Sequence, residues 1–177
     1  MLDIETAALT PNALILQLSA VKFSPWEVYE ERGITIYDLP SMSLLLSPES
    51  QPNRYIDEKN VRWWGKQDQS VQEMIFGDHP RYSLEEAIEA LTSFVADSER
   101  IWCQGPDVDV SILKDAYASL GKNVPWEYWA VRDSRTLMDI VQVNLRAATH
   151  NALDDCFRQI CGVQRAFDRL GVTRYIR

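Results

Sequence analysis

Positive charge is scarce in this chain. Lysine and arginine together number 18, against 26 aspartate and glutamate residues, which gives a formal net charge of −8. A protein that coats long stretches of nucleic acid through their phosphates needs a broadly basic surface, so this composition argues against that class. It still leaves room for a small basic rim that holds a few nucleotides.

Cysteine is also sparse, and long apolar runs are missing. Cys103, Cys156 and Cys161 have no metal-binding spacing and leave one thiol without a partner, so we expect reduced thiols in a cytoplasmic protein. A basic-plus-apolar leader and a long apolar span are both absent from the sequence. The sequence therefore predicts neither secretion nor insertion into a membrane.

What the chain does contain suits a single α/β domain over residues 1–177. Apolar residues on both faces predict a central strand over residues 13–23. Two further strand candidates cover residues 33–37 and 43–47, and together the three segments suggest a meander. A short buried strand is expected at residues 101–103, and Gly105 and Pro106 end it.

Capping residues and apolar periodicity predict the helices. Ser83 and Glu86 form a capping box ahead of an apolar stripe, and Asn60 is a candidate cap for a short helix that contains Trp63 and Trp64. Other helices are expected over residues 69–76, from residue 109 towards Gly121, from near residue 134, and from an Asn151 cap to Gly171. Arg54, Lys59, Arg62 and Lys66 form a basic cluster beside the two tryptophans, for which a solvated face is the simplest interpretation.

The segment from His150 to Asp155 combines an imidazole with two carboxylates at a helix start. His150 lies just before the Asn151 cap, and Asp154 and Asp155 fall in the first turn. A histidine beside a carboxylate at such a position can act as a general base next to a metal. Acidic residues in a first turn are also favoured by the helix dipole alone, so the segment by itself leaves both interpretations open.

A second pair of carboxylates lies at the other end of the chain. Asp3 and Glu5 are two residues apart, so on a strand both point to one face, while Leu2 and Ile4 point to the other. Two neighbouring carboxylates repel each other on a buried strand unless a cation lies between them, and hard divalent cations prefer carboxylate oxygens. The alternative is a short edge strand whose acids face water.

A third acidic position occurs where a strand gives way to a helix. Asp109 begins that helix, and a strand-to-helix junction is a common place for a functional carboxylate in a sheet flanked by helices. Asp107 competes with it as a turn or cap residue. Spacing alone does not choose between these two residues, nor between Asp154 and Asp155.

Three segments carry a resemblance to a known superfamily: Asp3-Ile-Glu-Thr, Gly105-Pro-Asp-Val-Asp109 and His150-Asn-Ala-Leu-Asp-Asp155. In this order they resemble the three exonuclease motifs of the DEDDh 3′–5′ exonucleases. Within that superfamily the chain is most similar to the small exoribonucleases, the phage DexA exonucleases and the prophage exonuclease VIII-like proteins. The resemblance covers nearly the whole chain and implies a ribonuclease H-like mixed sheet flanked by helices.

The resemblance also implies a set of roles. It assigns Asp3, Glu5, Asp109 and Asp155 as ligands of two Mg²⁺ or Mn²⁺ ions, with Glu5 also catalytic, and it prefers Asp109 to Asp107 and Asp155 to Asp154. His150 would take the proton from the attacking water. Three further residues are candidates for substrate binding: Thr6 in the first motif, Trp63 as a stacking face that competes with a core role, and Arg135 as a phosphate contact that competes with a structural ion pair.

These roles lead to three hypotheses about function. The first is a metal-dependent 3′–5′ exonuclease that acts on single-stranded nucleic acid, with RNA ranked slightly ahead of DNA. The second is a nucleic-acid-binding module with little or no turnover, because only Met1 and Leu2 precede Asp3 and the first strand is short there. The third is an oligoribonuclease for very short oligonucleotides. The resemblance also makes a homodimer an arrangement to test.

Overall fold

A computed structural model describes residues 1–27 and 35–174 of the chain. Its strands are β1 (Leu2–Thr6), β2 (Ile15–Val21), β3 (Ser41–Leu45), β4 (Ile101–Cys103) and β5 (Val131–Asp133). Its α-helices are α1 (Glu58–Trp64), α2 (Gln69–Phe76), α3 (Leu84–Val95), α4 (Asp109–Ser119), α5 (Ser134–Ile140) and α6 (Ala152–Leu170). Short 3-10 turns occupy Ile36–Asp38, Pro48–Ser50 and Tyr128–Ala130.

The strands make an antiparallel meander and a parallel pair. β2 lies between β1 and β3, and every residue of β2 is buried, as expected for a central strand covered on both faces. β4 and β5 pair in parallel, and β4 packs beside β1. The mixed α/β class with a sheet flanked by helices is therefore confirmed, in the arrangement expected of a ribonuclease H-like fold.

Helix α6 packs across β1 and β2 and is fixed at both of its ends. The Asn151 carboxamide accepts hydrogen bonds from the backbone N–H groups of Leu153 and Asp154, and Gly171 ends the helix in the left-handed conformation at φ 63°. The capping box of Ser83 and Glu86 at α3 is present as well. These three predictions from the sequence are confirmed.

Other predictions are wrong. The predicted strand over residues 33–37 does not form at its described end, because Asp38 accepts hydrogen bonds from the Thr35 backbone N–H at 2.9 Å and hydroxyl at 2.7 Å and closes a 3-10 turn; residues 33 and 34 lie outside the described part. The cap of α1 is Asp57, which accepts from the Lys59 backbone, and Asn60 lies inside the helix.

Arg54 is also not part of a solvated basic face. Its side chain is 5% exposed and pairs with Asp115 at 3.0 Å. It also donates to the backbone oxygens of Pro11, Ala13 and Ile112. Arg54 therefore ties α4 to the loop between β1 and β2.

Cys103 and Cys156 are buried free thiols, as expected, and Cys161 is half-buried. No helix within residues 1–27 and 35–174 is both long enough and apolar enough to cross a bilayer.

Candidate metal centre

Strand β1 presents Asp3 and Glu5 on one face. Its residues alternate between buried and half-buried along the strand, with Leu2 and Ile4 in the core. The antiparallel register places Asp3 opposite Ser19 and Glu5 opposite Gln17 on the central strand. Both carboxylates thus lie on a strand that pairs with β2, which fixes their backbone positions.

The turn after β4 brings in Asp109. Gly105 takes φ 119°, a conformation that favours glycine, and the guanidinium of Arg135 lies 3.7 Å from where a Cβ would be. Asp109 then begins α4 and is buried, whereas Asp107 is exposed in the turn. Of the two candidates at this junction, Asp109 is the one that lies against β1.

The N-terminal end of α6 supplies Asp155, which is 3% exposed. Its carboxylate accepts the backbone N–H of Thr149 at 3.2 Å, the backbone N–H of His150 at 3.0 Å, and the Nε–H of Arg158 at 2.7 Å. Asp154, the competing residue, is only half-buried. Asp155 is therefore the carboxylate that organises this end of the site.

The backbone of His150 is in the left-handed region at φ 57°, which costs a non-glycine residue about 1–3 kcal/mol. The two hydrogen bonds to Asp155 stabilise this conformation. The imidazole packs edge-on against Trp63, with ring centroids 4.7 Å apart, and lies 6.4 Å from Trp64. The buried Trp64 in turn donates from Nε1 to the Thr6 carbonyl at 3.0 Å, which links the histidine loop through α1 to β1.

These segments converge on one cluster. Ligand atoms of Glu5, His150 and Asp155 all lie within 4.8 Å of one another. Asp109 borders the cluster, since its charge raises the pKa of Asp3 and of Glu5. Asp3 borders it as well, since the charges of Glu5 and Asp155 raise its pKa. Hard oxygen donors around a shared space are the ligand set that Mg²⁺ and Mn²⁺ prefer, so the residues present fit the divalent ions that the resemblance implies.

Burial and mutual repulsion dominate the electrostatics of the cluster. Burial, followed by repulsion from Asp109, Glu5 and Asp155, raises the pKa of Asp3 well above its usual range. Burial and the charges of Asp155 and Asp109 raise the pKa of Glu5 to about 8. Burial raises the pKa of Asp109 to about 7, while the nearby Arg135 opposes the rise. A bound cation would favour the ionised form of all three groups.

The predicted substrate-binding residues lie around this cluster. Trp63 is 40% exposed, so part of its ring faces solvent beside His150. Arg135 is exposed at the start of α5 and donates to the Gln104 carbonyl at 3.1 Å. Thr6 is buried, and its hydroxyl donates to the Ala8 carbonyl at 2.6 Å. The binding roles of these three residues stay predictions.

Sequence reasoning missed two residues of α6 that contact the carboxylates. Gln159 donates from Nε2 to Asp3 Oδ1 at 2.7 Å, and Arg158 pairs with Asp155 and donates to Gln104 Oε1 at 2.9 Å. Arg158 appeared only as one of several arginines along this helix. Positions three and four residues after Asp155 lie on its side of the helix, and this spacing is the signal that could have found them.

Residues 1–166 match the family described as the 3′-5′ exoribonuclease Rv2179c-like domain. The chain belongs to this family.

A search of curated proteins returned no significant match. Among solved structures, the chain is similar to the crystal structure of cell-death related nuclease 4 (CRN-4), at 16% sequence identity and a TM-score of 0.49. The match covers 96% of this chain and 63% of that nuclease chain.

Proposed function

We propose that this chain is a divalent-metal-dependent 3′–5′ exonuclease of the DEDDh type that acts on single-stranded nucleic acid, with RNA preferred to DNA. The observation that carries the proposal is the convergence of Asp3, Glu5, Asp109, Asp155 and His150 from three distant parts of the chain. The family of the chain supports the exonuclease activity and the choice of RNA.

The four carboxylates are the proposed ligands of two Mg²⁺ or Mn²⁺ ions. When bound, such ions activate the attacking water and stabilise the charge that develops on the phosphate. Ligand atoms of Glu5 and Asp155 lie within 4.8 Å of a ring nitrogen of His150, and we infer that these two carboxylates also orient the water that His150 deprotonates. Asp3 and Asp109 complete the set from β1 and α4.

His150 is the proposed general base. A ring nitrogen of His150 accepts a proton from water, the water oxygen bonds to phosphorus, and the bond to the 3′ oxygen of the shortened strand breaks. The products are a nucleoside 5′-monophosphate and a new 3′ hydroxyl, whose oxygen takes a proton from solvent. A base of this kind contributes about 10²–10⁴-fold to the rate, and the hydrogen bonds from the histidine loop to Asp155 hold it in place.

A degradation assay tests the proposal. Single-stranded RNA and DNA of the same sequence, labelled at the 5′ end, are incubated with Mn²⁺, Mg²⁺ or a chelator. We expect a ladder that shortens from the 3′ end, only with metal, and faster on RNA. A 3′-terminal phosphorothioate linkage should slow the first step and so establish the direction.

The variant His150→Ala should lose about 10²–10⁴-fold in rate while its circular dichroism spectrum is unchanged. His79, the other histidine of the chain, provides the matched control His79→Ala, because it lies in an exposed turn and contacts the Glu73 carbonyl. Cleavage at the parent rate in His150→Ala, or in chelator, would contradict the mechanism. Binding without any turnover would instead support a binding module, and turnover of dinucleotides alone would support an oligoribonuclease.

A further inference from the structure

Helix α6 meets the sheet through a row of polar contacts on one face. The Ala152 backbone N–H donates to Gln17 Oε1 at 2.9 Å, the Cys156 thiol lies 3.8 Å from the Ser19 carbonyl, and Gln159 reaches Asp3. The helix residues are spaced four and three apart, so they share one side of the helix. This side also carries Asp155, which makes α6 a common support for the first and the last carboxylate of the cluster.

Gln159 is unusual among these contacts because it is an uncharged amide buried among carboxylates. The residue is 1% exposed, and its Nε2 donates to Asp3 Oδ1 at 2.7 Å. Its Oε1 atom has no hydrogen-bond partner within the described part of the chain. An unsatisfied buried oxygen is unfavourable, so an apolar side chain of the same size would serve packing better. The bond to Asp3 is the property that an apolar residue would lack.

We propose that Gln159 is a positioning residue of the metal centre. Its amide fixes the rotation of the Asp3 side chain by holding Oδ1, and it leaves Oδ2 for a divalent cation. Groups of this kind, which orient a ligand without touching the metal, typically change metal affinity or activity by about 10–100-fold when they are removed. The inference rests on the proposed function, since it takes Asp3 to be a metal ligand.

A structural role predicts a different outcome from a positioning role. If Gln159 served only to dock α6, its loss would lower stability and leave the metal affinity of the folded protein unchanged. If it orients Asp3, metal affinity falls even where the fold is intact. The affinity of the folded protein for Mn²⁺ alone, measured by isothermal titration calorimetry on the full chain, therefore separates the two roles.

The test variant is Gln159→Met, which keeps the length of the side chain and removes the donor. The matched control is Gln164→Met on the same helix, whose amide donates to the Ser24 and Glu27 carbonyls away from the cluster. We expect the dissociation constant for Mn²⁺ to rise about 10–100-fold in the first variant and to stay within about twofold in the control. Gln159→Leu is measured in parallel, and a variant is scored only if its circular dichroism spectrum matches the parent.

A double-mutant cycle shows whether Gln159 acts through Asp3. In an Asp3→Asn background, Gln159→Met should cause little further loss of Mn²⁺ affinity, because the group that it orients is already changed. An unchanged dissociation constant in Gln159→Met, or full additivity with Asp3→Asn, would overturn the inference and leave the proposed function standing. Failure of the parent chain to bind Mn²⁺ at all would overturn both.

Discussion

The two ends of the acidic cluster are compensated in different ways. At the α6 end, Asp155 receives two backbone N–H groups and an ion pair with Arg158. At the β1 end, Asp3 and Glu5 lie side by side on one face of the strand near the other carboxylates, and the pKa of each is raised, mainly by burial. The protein thus supplies an ion pair and backbone donors to Asp155, whereas at the β1 end Gln159 donates to Asp3 and the proposed cation would compensate the remaining charge. This difference predicts that substitutions at the two ends have different consequences.

The largest expected effect comes from replacing Asp155, the carboxylate at the α6 end of the cluster. Asp155→Ala takes away a proposed metal ligand and also the acceptor that holds His150 at φ 57°. We expect the rate of RNA degradation to fall by more than the about 10²–10⁴-fold that loss of the base alone would cause. The measurement is the initial rate in Mn²⁺, with Asp154→Ala as the neighbouring control.

Asp155→Ala also leaves the Arg158 guanidinium buried without its partner, which typically destabilises a protein by about 3–5 kcal/mol. Its unfolding in urea should therefore shift markedly, while Asp154→Ala should unfold much like the parent. If Asp155→Ala degrades RNA at the rate of Asp154→Ala, the choice of Asp155 is wrong.

A smaller effect is expected at the aromatic edge of the site. Stacking of one base on an aromatic side chain contributes about 1–3 kcal/mol, so Trp63→Ala should weaken the binding of single-stranded RNA by about 5–150-fold. Fluorescence anisotropy with labelled RNA, in Ca²⁺ to slow turnover, measures this affinity. Trp129→Ala is the control, because Trp129 is 53% exposed and packs against Arg100 at the opposite end of β4 from the cluster.

Equal losses of RNA affinity in the two tryptophan variants would show that stacking at Trp63 is not specific. A fall in turnover alone, with affinity unchanged, would instead assign Trp63 to the support of His150, against which its ring packs.

An effect of a different kind is expected on stability as a function of pH. In the folded protein the pKa of Glu5 is about 8 and that of Asp109 about 7, above the values of about 4 that they take when unfolded. The folded state therefore binds more protons than the unfolded state. The contribution of these two groups to the free energy of unfolding is complete below about pH 4 and is lost as the pH rises to about 8. With chelator present, the Tm should fall over this range, at about 2–4 °C for each kcal/mol lost.

Mn²⁺ should flatten this pH dependence, because a cation favours the ionised carboxylates. Glu5→Gln should flatten it as well, since the group that titrates is gone. A Tm profile in chelator that has the same slope in the parent and in Glu5→Gln would contradict the account of the β1 end.

Local sequence signals predicted the ends of helices α3 and α6 well. The Asn151 cap, the Gly171 stop and the capping box of α3 depend on residues within one or two helical turns of each other, and all three are present. These signals failed where another side chain made the local hydrogen bond, two or three residues away along the chain. Asp38 closed a turn in place of a strand, and Asp57 took the capping role expected of Asn60.

The contacts between distant segments were not accessible from the sequence. The bond between Gln159 and Asp3 joins residues 156 positions apart, and nothing in the apolar pattern of α6 marks it. The burial of Arg54 and the three-residue strand β5 likewise depend on non-local pairing. Residue types and spacing therefore indicated which carboxylates to consider, while the folded chain was needed to show which of them lie together.

The most direct test of the central claim is anomalous X-ray diffraction from crystals of the full chain soaked in Mn²⁺. We expect two anomalous peaks about 4 Å apart, in contact with the carboxylates of Asp3, Glu5, Asp109 and Asp155. The same soak of Asp3→Asn crystals should weaken at least one peak. Peaks confined to other acidic residues, or none at the cluster at a Mn²⁺ concentration that supports activity, would contradict the account.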